Sequence, residues 1–296
     1  METVMEKATN KRLNLREGLK DSKPIVAVGA HDALSAQMIQ KHGFDAIWVS
    51  GFGVSTMQFA IPDANLVTMT EALAAATRMD TVVDIPVVAD CDNGFGGLAN
   101  VVRTIHEYER AGVAGVCIED NLFPKRNSLF NGKAKRDLIP MEEQAKRIKA
   151  AKAAQETEEF VFIARIESLI ARHGIEDACR RADAYAEAGA DAILIHSKDK
   201  TLQEIEGFLS QWQGGLPLVA VPSLFPTFTV EELHKKGFQM IILANQVMRA
   251  AIKAMEQTLS TLQQKRCASA VDEDIVPINY VFDLVKTAEL YALEDK

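Results

Sequence analysis

Short apolar runs that end in a polar residue or a glycine, most of them followed by a stretch with helical spacing, recur along this chain: Ile25–Gly29, Ala46–Val49, Pro86–Asp90, Gly115–Ile118, Val161–Ile166, Ala192–Ile195, Leu218–Val221 and Met240–Leu243. Regular strand–helix alternation leaves few folds open, because parallel neighbours need crossovers and the helices must cover the sheet. Eight alternations over roughly 250 residues match a (β/α)8 TIM-type barrel of the α/β class. An open doubly wound sheet is the alternative. However, no GxGxxG follows the first run, and polar residues end nearly every run, as the mouth of a barrel requires. The 296 residues are 48% hydrophobic and show no linker-like change in composition, so the expectation is one domain over 1–296. A polar helix should precede the barrel, a long glycine-containing loop (SGFGVSTMQFAIPDAN) should follow the second run, and C-terminal helices should fill about 247–296, one of them from Val276 to Leu293.

A formal charge of −8 argues against nucleic acid or an anionic membrane as partner. It still allows a small anionic substrate, because a bound metal inverts the field within a pocket. The charged N-terminal stretch lacks the apolar run of a signal peptide, and no segment approaches the roughly 18 apolar residues of a membrane span. Cys91, Cys117, Cys179 and Cys267 are scattered without metal-ligand spacing, so reduced thiols are expected. Together these features suggest a soluble cytoplasmic protein.

Two successive runs end in acid, the third in Asp90 and Asp92, the fourth in Glu119 and Asp120. In a parallel barrel those ends share one face, and clustered carboxylates there suit a hard cation such as Mg²⁺. For Asp92, capping of the next helix is the competing role. Arg165 sits in an otherwise apolar strand, where burial is costly without a partner. It forms either a structural salt bridge with Glu167 or another acid, or a clamp for a carboxylate or phosphoryl group. His196 ends its strand and fits a core or a catalytic role. The polar stretch from about 120 to 138, with Lys125, Arg126, Asn127 and Ser128, is placed where an active-site lid belongs, and equally reads as a solvated basic loop.

The motifs DCDNGFGG, CIEDNLFPKRNSL, IARIESLIA and GADAILIHSK resemble the phosphoenolpyruvate mutase branch of the isocitrate lyase superfamily over roughly Ile25–Arg249. That branch carries EDK-x₅-NS; here it reads EDNLFPKRNS, with Asn121 replacing the usual lysine, while Lys125 remains to meet the substrate. The KKCGH- or KRCGH-type motif of the carbon–carbon lyases is absent. The resemblance implies that Asp90 holds Mg²⁺ directly, with Asp63, Asp92 and Glu119 acting through its waters. It implies that Ser50, Gly51 and Phe52 line a carboxylate pocket, with Phe52 standing where a Leu is common. Arg165, His196, Asn127 and Ser128 would contact a phosphoryl group.

The activity implied is interconversion of phosphoenolpyruvate and phosphonopyruvate, in a homotetramer whose C-terminal helices are exchanged between subunits. The main rival is phosphonopyruvate hydrolysis, whose enzymes resemble this chain at FAIPDAN (Phe59–Asn65) and tend to carry Thr at the Asn127 position. A carboxyphosphonoenolpyruvate mutase is a third choice. A non-enzymatic scaffold would require the carboxylate cluster to be accidental.

Overall fold

Alternation of side chains along the strands decides how this chain closes. The computed structural model describes residues 3–130 and 136–294. In chain order, helix α1 (Val4–Gly18) precedes strand β1 (Ile25–Ala30). There follow α2 (Ala33–Lys41), β2 (Ala46–Val49), α3 (Gly51–Phe59), α4 (Met69–Thr81), β3 (Val87–Asp90), α5 (Leu98–Arg110) and β4 (Gly115–Glu119). Next come α6 (Met141–Ala154), β5 (Val161–Ile166), α7 (Ile175–Glu187), β6 (Ala192–Ile195), α8 (Gln203–Gln211), β7 (Leu218–Ala220), α9 (Val230–Lys235), β8 (Phe238–Leu243) and α10 (Gln246–Lys265). Every strand pairs in parallel with its successor and β8 pairs with β1, so the sheet is a closed barrel, the (β/α)8 fold expected.

Trp48, Val88, Cys117, Ile163 and Leu194 form one buried cluster inside the barrel. Their chain neighbours Ile47, Val87, Val116, Phe162 and Ile193 belong to a second, between strands and helices. Leu15 and Leu19, from α1 and its end, join the inner cluster. Continuing each inward register by two residues reaches Ser50, Asp90, Glu119, Arg165 and His196. Polar residues thus arrive at the mouth because the strand period delivers them there.

Two expectations are corrected. The glycine-containing stretch after β2 is helix α3 over Gly51–Phe59, because the Ser50 hydroxyl accepts the Gly53 N–H at 3.0 Å and caps it. The helix expected over Val276–Leu293 is two, α11 (Ile278–Leu284) and α12 (Thr287–Glu294), separated where Lys286 adopts a left-handed φ of 55°. The chain divides into two compact units, residues 1–248 and 249–296. In the second, α11 and α12 contain no buried residue, and Val281, Phe282, Val285, Leu290, Tyr291 and Leu293 are exposed. No helix among the described residues is long and apolar enough to cross a membrane.

Asp120 falls on the outward register, away from the mouth. Fully buried, it accepts from Arg181 Nη1 at 3.0 Å, the Tyr185 hydroxyl at 2.7 Å and the Glu167 backbone N–H at 2.9 Å. It therefore ties the ends of β4 and β5 to α7. Asp120→Ala leaves a buried guanidinium without its main partner and is expected to cost about 3–5 kcal/mol, measured by urea unfolding. A cost below ~1 kcal/mol would show that this network does not hold the barrel.

Candidate active site

Strand ends and two overlying segments enclose one polar pocket. Its lining includes Trp48, Ser50, Phe52, Asp63, Asp90, Glu119, Lys125, Asn127, Ser128, Arg165 and His196. Gly51 lies behind it, where a Cβ would come within 3.5 Å of Asp90 Oδ2. Asp92 is buried just below and does not cap α5, whose N-cap is Gly97. All the residues singled out in the sequence for the mouth, except Asp120, are therefore brought together. Of the lid stretch, Gly132 and Lys133 lie outside the described residues; from Lys125 to Leu129 it lines the pocket.

Two cations organise the acids. Lys125 Nζ sits 2.7 Å from Asp63 Oδ1 and also pairs with Asp92 Oδ1. Burial alone would depress this amine, but Asp92, Asp63 and Asp90 outweigh it and hold the pKa well above the usual lysine value. Arg165 Nε lies 2.8 Å from Glu167 Oε1 and 3.2 Å from Glu119 Oε2, and Nη2 donates to Ser128 Oγ at 2.7 Å. Nη2 also approaches His196 Nδ1 at 3.1 Å. Nδ1 also lies 3.4 Å from Glu167 Oε1, at the long limit of hydrogen bonding. The shorter contact is with a guanidinium, which can only donate, so the geometry favours Nδ1 as acceptor with the imidazole proton on Nε2. That Nε2 is buried and has no protein partner among the described residues, leaving a donor at the pocket for a ligand oxygen. Burial and Arg165 keep this imidazole neutral, with its pKa below the ordinary value despite Glu167.

Glu119 and Glu167 compete for one guanidinium. Burial pushes Glu167 up, yet the Arg165 guanidinium outweighs it and holds this carboxylate below the usual range. Glu119 is pushed up to about 8 by burial, which Arg165 and Lys125 only partly oppose. Asp92 is raised to about 6, again by burial with Lys125 opposing. Asp90 accepts the Asp92 N–H at 3.2 Å and forms no salt bridge among the described residues.

Among the described residues no three His, Cys, Asp or Glu side chains form a ready metal cage. The donor set nevertheless fits a hard cation. Asp63, Asp90, Asp92 and Glu119 all offer oxygen, and Asp90 has no cationic partner among the described residues, whereas Mg²⁺ takes one or two carboxylates, waters and substrate rather than a protein cage.

Sequence reasoning missed Asn65, whose amide donates to Asp92 Oδ2 at 2.9 Å and whose Oδ1 accepts the Lys125 backbone N–H. It treated Glu167 only as a salt-bridge partner, although the two-residue spacing from Arg165 placed both on the inward register. Trp48, Ser223 and Asn245 also line the pocket.

A closed parallel barrel whose mouth gathers five acids, two paired cations and a neutral imidazole defines a polar, carboxylate-rich site at the C-terminal ends of the strands. The model for the phosphoenolpyruvate phosphomutase family matches residues 15–263, and the chain belongs to this family. It is 38% identical to the phosphonopyruvate hydrolase of Variovorax sp. (strain Pal2), covering 95% of this chain and 96% of that one. The crystal structure of phosphoenolpyruvate phosphomutase from Streptomyces platensis subsp. rosaceus superposes with a TM-score of 0.93 at 41% identity, over 96% and 98% of the two chains. A phosphonopyruvate hydrolase complexed with oxalate and Mg²⁺ gives 0.90 at 36%, over 97% and 98%.

The raised Glu119 has a definite pH consequence. A carboxyl whose folded pKa exceeds its unfolded value contributes stability that is full below about 4.5 and lost as pH rises through about 8. Asp92 acts in the same direction up to about 6. In chelator-treated protein the Tm is therefore expected to fall between about pH 7 and 8, and Glu119→Gln should flatten the slope. This window lies above the range where the lowered pKa values of His196 and His31 act in the opposite sense. Calorimetry showing a wild-type Tm that is level or rising across this window would refute the assignment.

Proposed function

We propose that this chain is a phosphoenolpyruvate mutase, interconverting phosphoenolpyruvate and 3-phosphonopyruvate. The observation that carries this reading is Asn127. It lines the pocket with Arg165, Ser128 and His196, and its Nδ2 donates to Asp63 Oδ2 at 2.8 Å. An amide there can hold a phosphoryl oxygen without a hydroxyl to orient an attacking water.

Moving a phosphoryl group from the enol oxygen to C3 passes through a loose, metaphosphate-like state, so the protein mainly positions and neutralises. Arg165 and His196 Nε2–H serve the phosphoryl oxygens, with Asn127 and Ser128 closing from the lid. The first-turn N–H groups of α3, at Gly51 and Phe52, have no intrahelical partner and suit the pyruvyl carboxylate. Asp90, with Asp63, Asp92 and Glu119 as outer partners, would hold Mg²⁺, which would supply charge neutralisation for the bound anion. Lys125 to Leu129 exclude water, which would otherwise capture the phosphoryl group.

The second reading, hydrolysis of phosphonopyruvate to pyruvate and phosphate, is favoured by the FAIPDAN loop, which supplies Asp63 to the pocket. Phosphorus NMR of protein incubated with Mg²⁺ and phosphonopyruvate separates the two, because phosphoenolpyruvate and free phosphate give distinct signals. The expected product is phosphoenolpyruvate; phosphate as the main product overturns the mutase. Asp90→Ala should abolish turnover while the fold survives, and full activity in that variant, or after chelation, would remove the metal from the account.

Asn127→Ala is expected to lose about 2–4 kcal/mol of transition-state stabilisation, read from kcat/KM. Asn127→Thr should release measurable phosphate. Neither effect would be seen if Asn127 only shaped the lid.

The exposed apolar residues of α11 and α12 call for a cover, and a second copy of this chain, in a homotetramer built from helix-exchanged dimers, provides one. Light scattering should give a mass roughly four times 32.5 kDa, and Phe282→Glu with Leu290→Glu should lower it. A monomeric wild type would refute the assembly.

A further inference from the structure

Three asparagines stand side by side on successive loops of the mouth and take no part in the chemistry above. Asn65 follows α3, Asn93 follows β3 and Asn121 follows β4. Asn93 is 1% exposed and Asn121 7%. Asn93 Nδ2 donates to Oδ1 of Asn65 and to Oδ1 of Asn121, both at 3.4 Å, and Asn65 Nδ2 donates to Asn93 Oδ1 at 3.4 Å. Each end of this row meets a group of the site. Asn121 Nδ2 donates to Glu119 Oε1 at 2.7 Å. Asn65 Nδ2 donates to Asp92 Oδ2 at 2.9 Å, and its Oδ1 accepts the backbone N–H of Lys125.

We propose that Asn65, Asn93 and Asn121 are positioning residues whose amide row couples the aim of the Glu119 carboxylate to the seating of the lid at Lys125. This rests on the mouth being the catalytic site. Amides suit the task because each both donates and accepts, so the row can continue. A lysine at 121 only donates; it would end the row and add a third cation beside Lys125 and Arg165. The outer bonds are short, and the inner ones are at the long limit of hydrogen bonding. A shift of a few tenths of an ångström at either end therefore makes or breaks the middle. Movement of the Lys125 amide reaches Glu119 without moving any charge.

Hydrogen exchange followed by mass spectrometry on the peptide containing Lys125 tests the coupling in the resting protein. Asn93→Leu and Asn121→Ala are expected to speed exchange of the Lys125 amide about tenfold or more, although neither residue bonds to it. Wild-type exchange in both overturns the coupling. A second arm measures kcat for Asn65→Ala, Asn121→Ala and the double variant. Each single change should lose about tenfold, and the double should lose no more than the larger single, because both cut one row. Multiplicative losses overturn the proposal.

The affinity for Mg²⁺ and oxalate, read by Trp48 fluorescence in a Trp212→Phe background, should stay within about threefold. Affinity falling in parallel with kcat would mean that the asparagines only shape the pocket, which also overturns the proposal. If Asn93→Leu does not fold, Asn93→Ser retains a shorter donor and acceptor and should give a smaller change of the same sign; no change counts against the coupling. An inactive wild type would refute the functional reading, and the exchange arm would still decide the row.

Discussion

One guanidinium holds the mouth together. Arg165 reaches inward from the end of β5, and its donors meet Glu167, Glu119, Ser128 and His196. Left unpaired, a charge buried this deeply would cost several kcal/mol. Paired as it is, it fixes three properties at once. It keeps Glu167 ionised and puts the His196 proton on Nε2. It also sets the Ser128 hydroxyl, which accepts from Arg165 and donates to Glu167 Oε2 at 3.0 Å. The salt bridge and the ligand clamp weighed as alternatives from sequence are therefore compatible: the bridge holds the guanidinium where a clamp would need it.

Around that anchor the acids are not equivalent. Glu167 makes the shorter contacts with Arg165, Asp63 and Asp92 share Lys125, and burial pushes Glu119 up to about 8. Asp90 forms no salt bridge among the described residues. Under the proposed chemistry this ranking selects the carboxylate that meets the cation. It also makes the Lys125 ammonium a charge that must be rearranged when a divalent ion enters.

Much of this was legible because a strand has a period of two. Asp90, Glu119, Arg165 and His196 could be placed at one face from the runs that precede them, and the structure gathers them in one pocket. The same rule, applied strictly, would have sent Asp120 outward and brought Glu167 inward. Helix α3 was hidden by its glycines, since its stability comes from the Ser50 cap rather than from propensity. The asparagine row could not be read at all. Asn65, Asn93 and Asn121 lie in three separate loops, and only closure of the barrel puts their amides within reach of each other.

Two segments that looked like rival indicators of activity, the FAIPDAN loop and the lid, meet through side chains. Asp63 accepts from Asn127 Nδ2 and pairs with Lys125, and Asn65 receives the Lys125 backbone. They therefore form one contact set, although more than 50 residues separate Asn65 from Asn121. A chimaera between relatives with its crossover in that interval combines halves of two different contact sets, while one with its crossover after Ser128 transmits the pair whole.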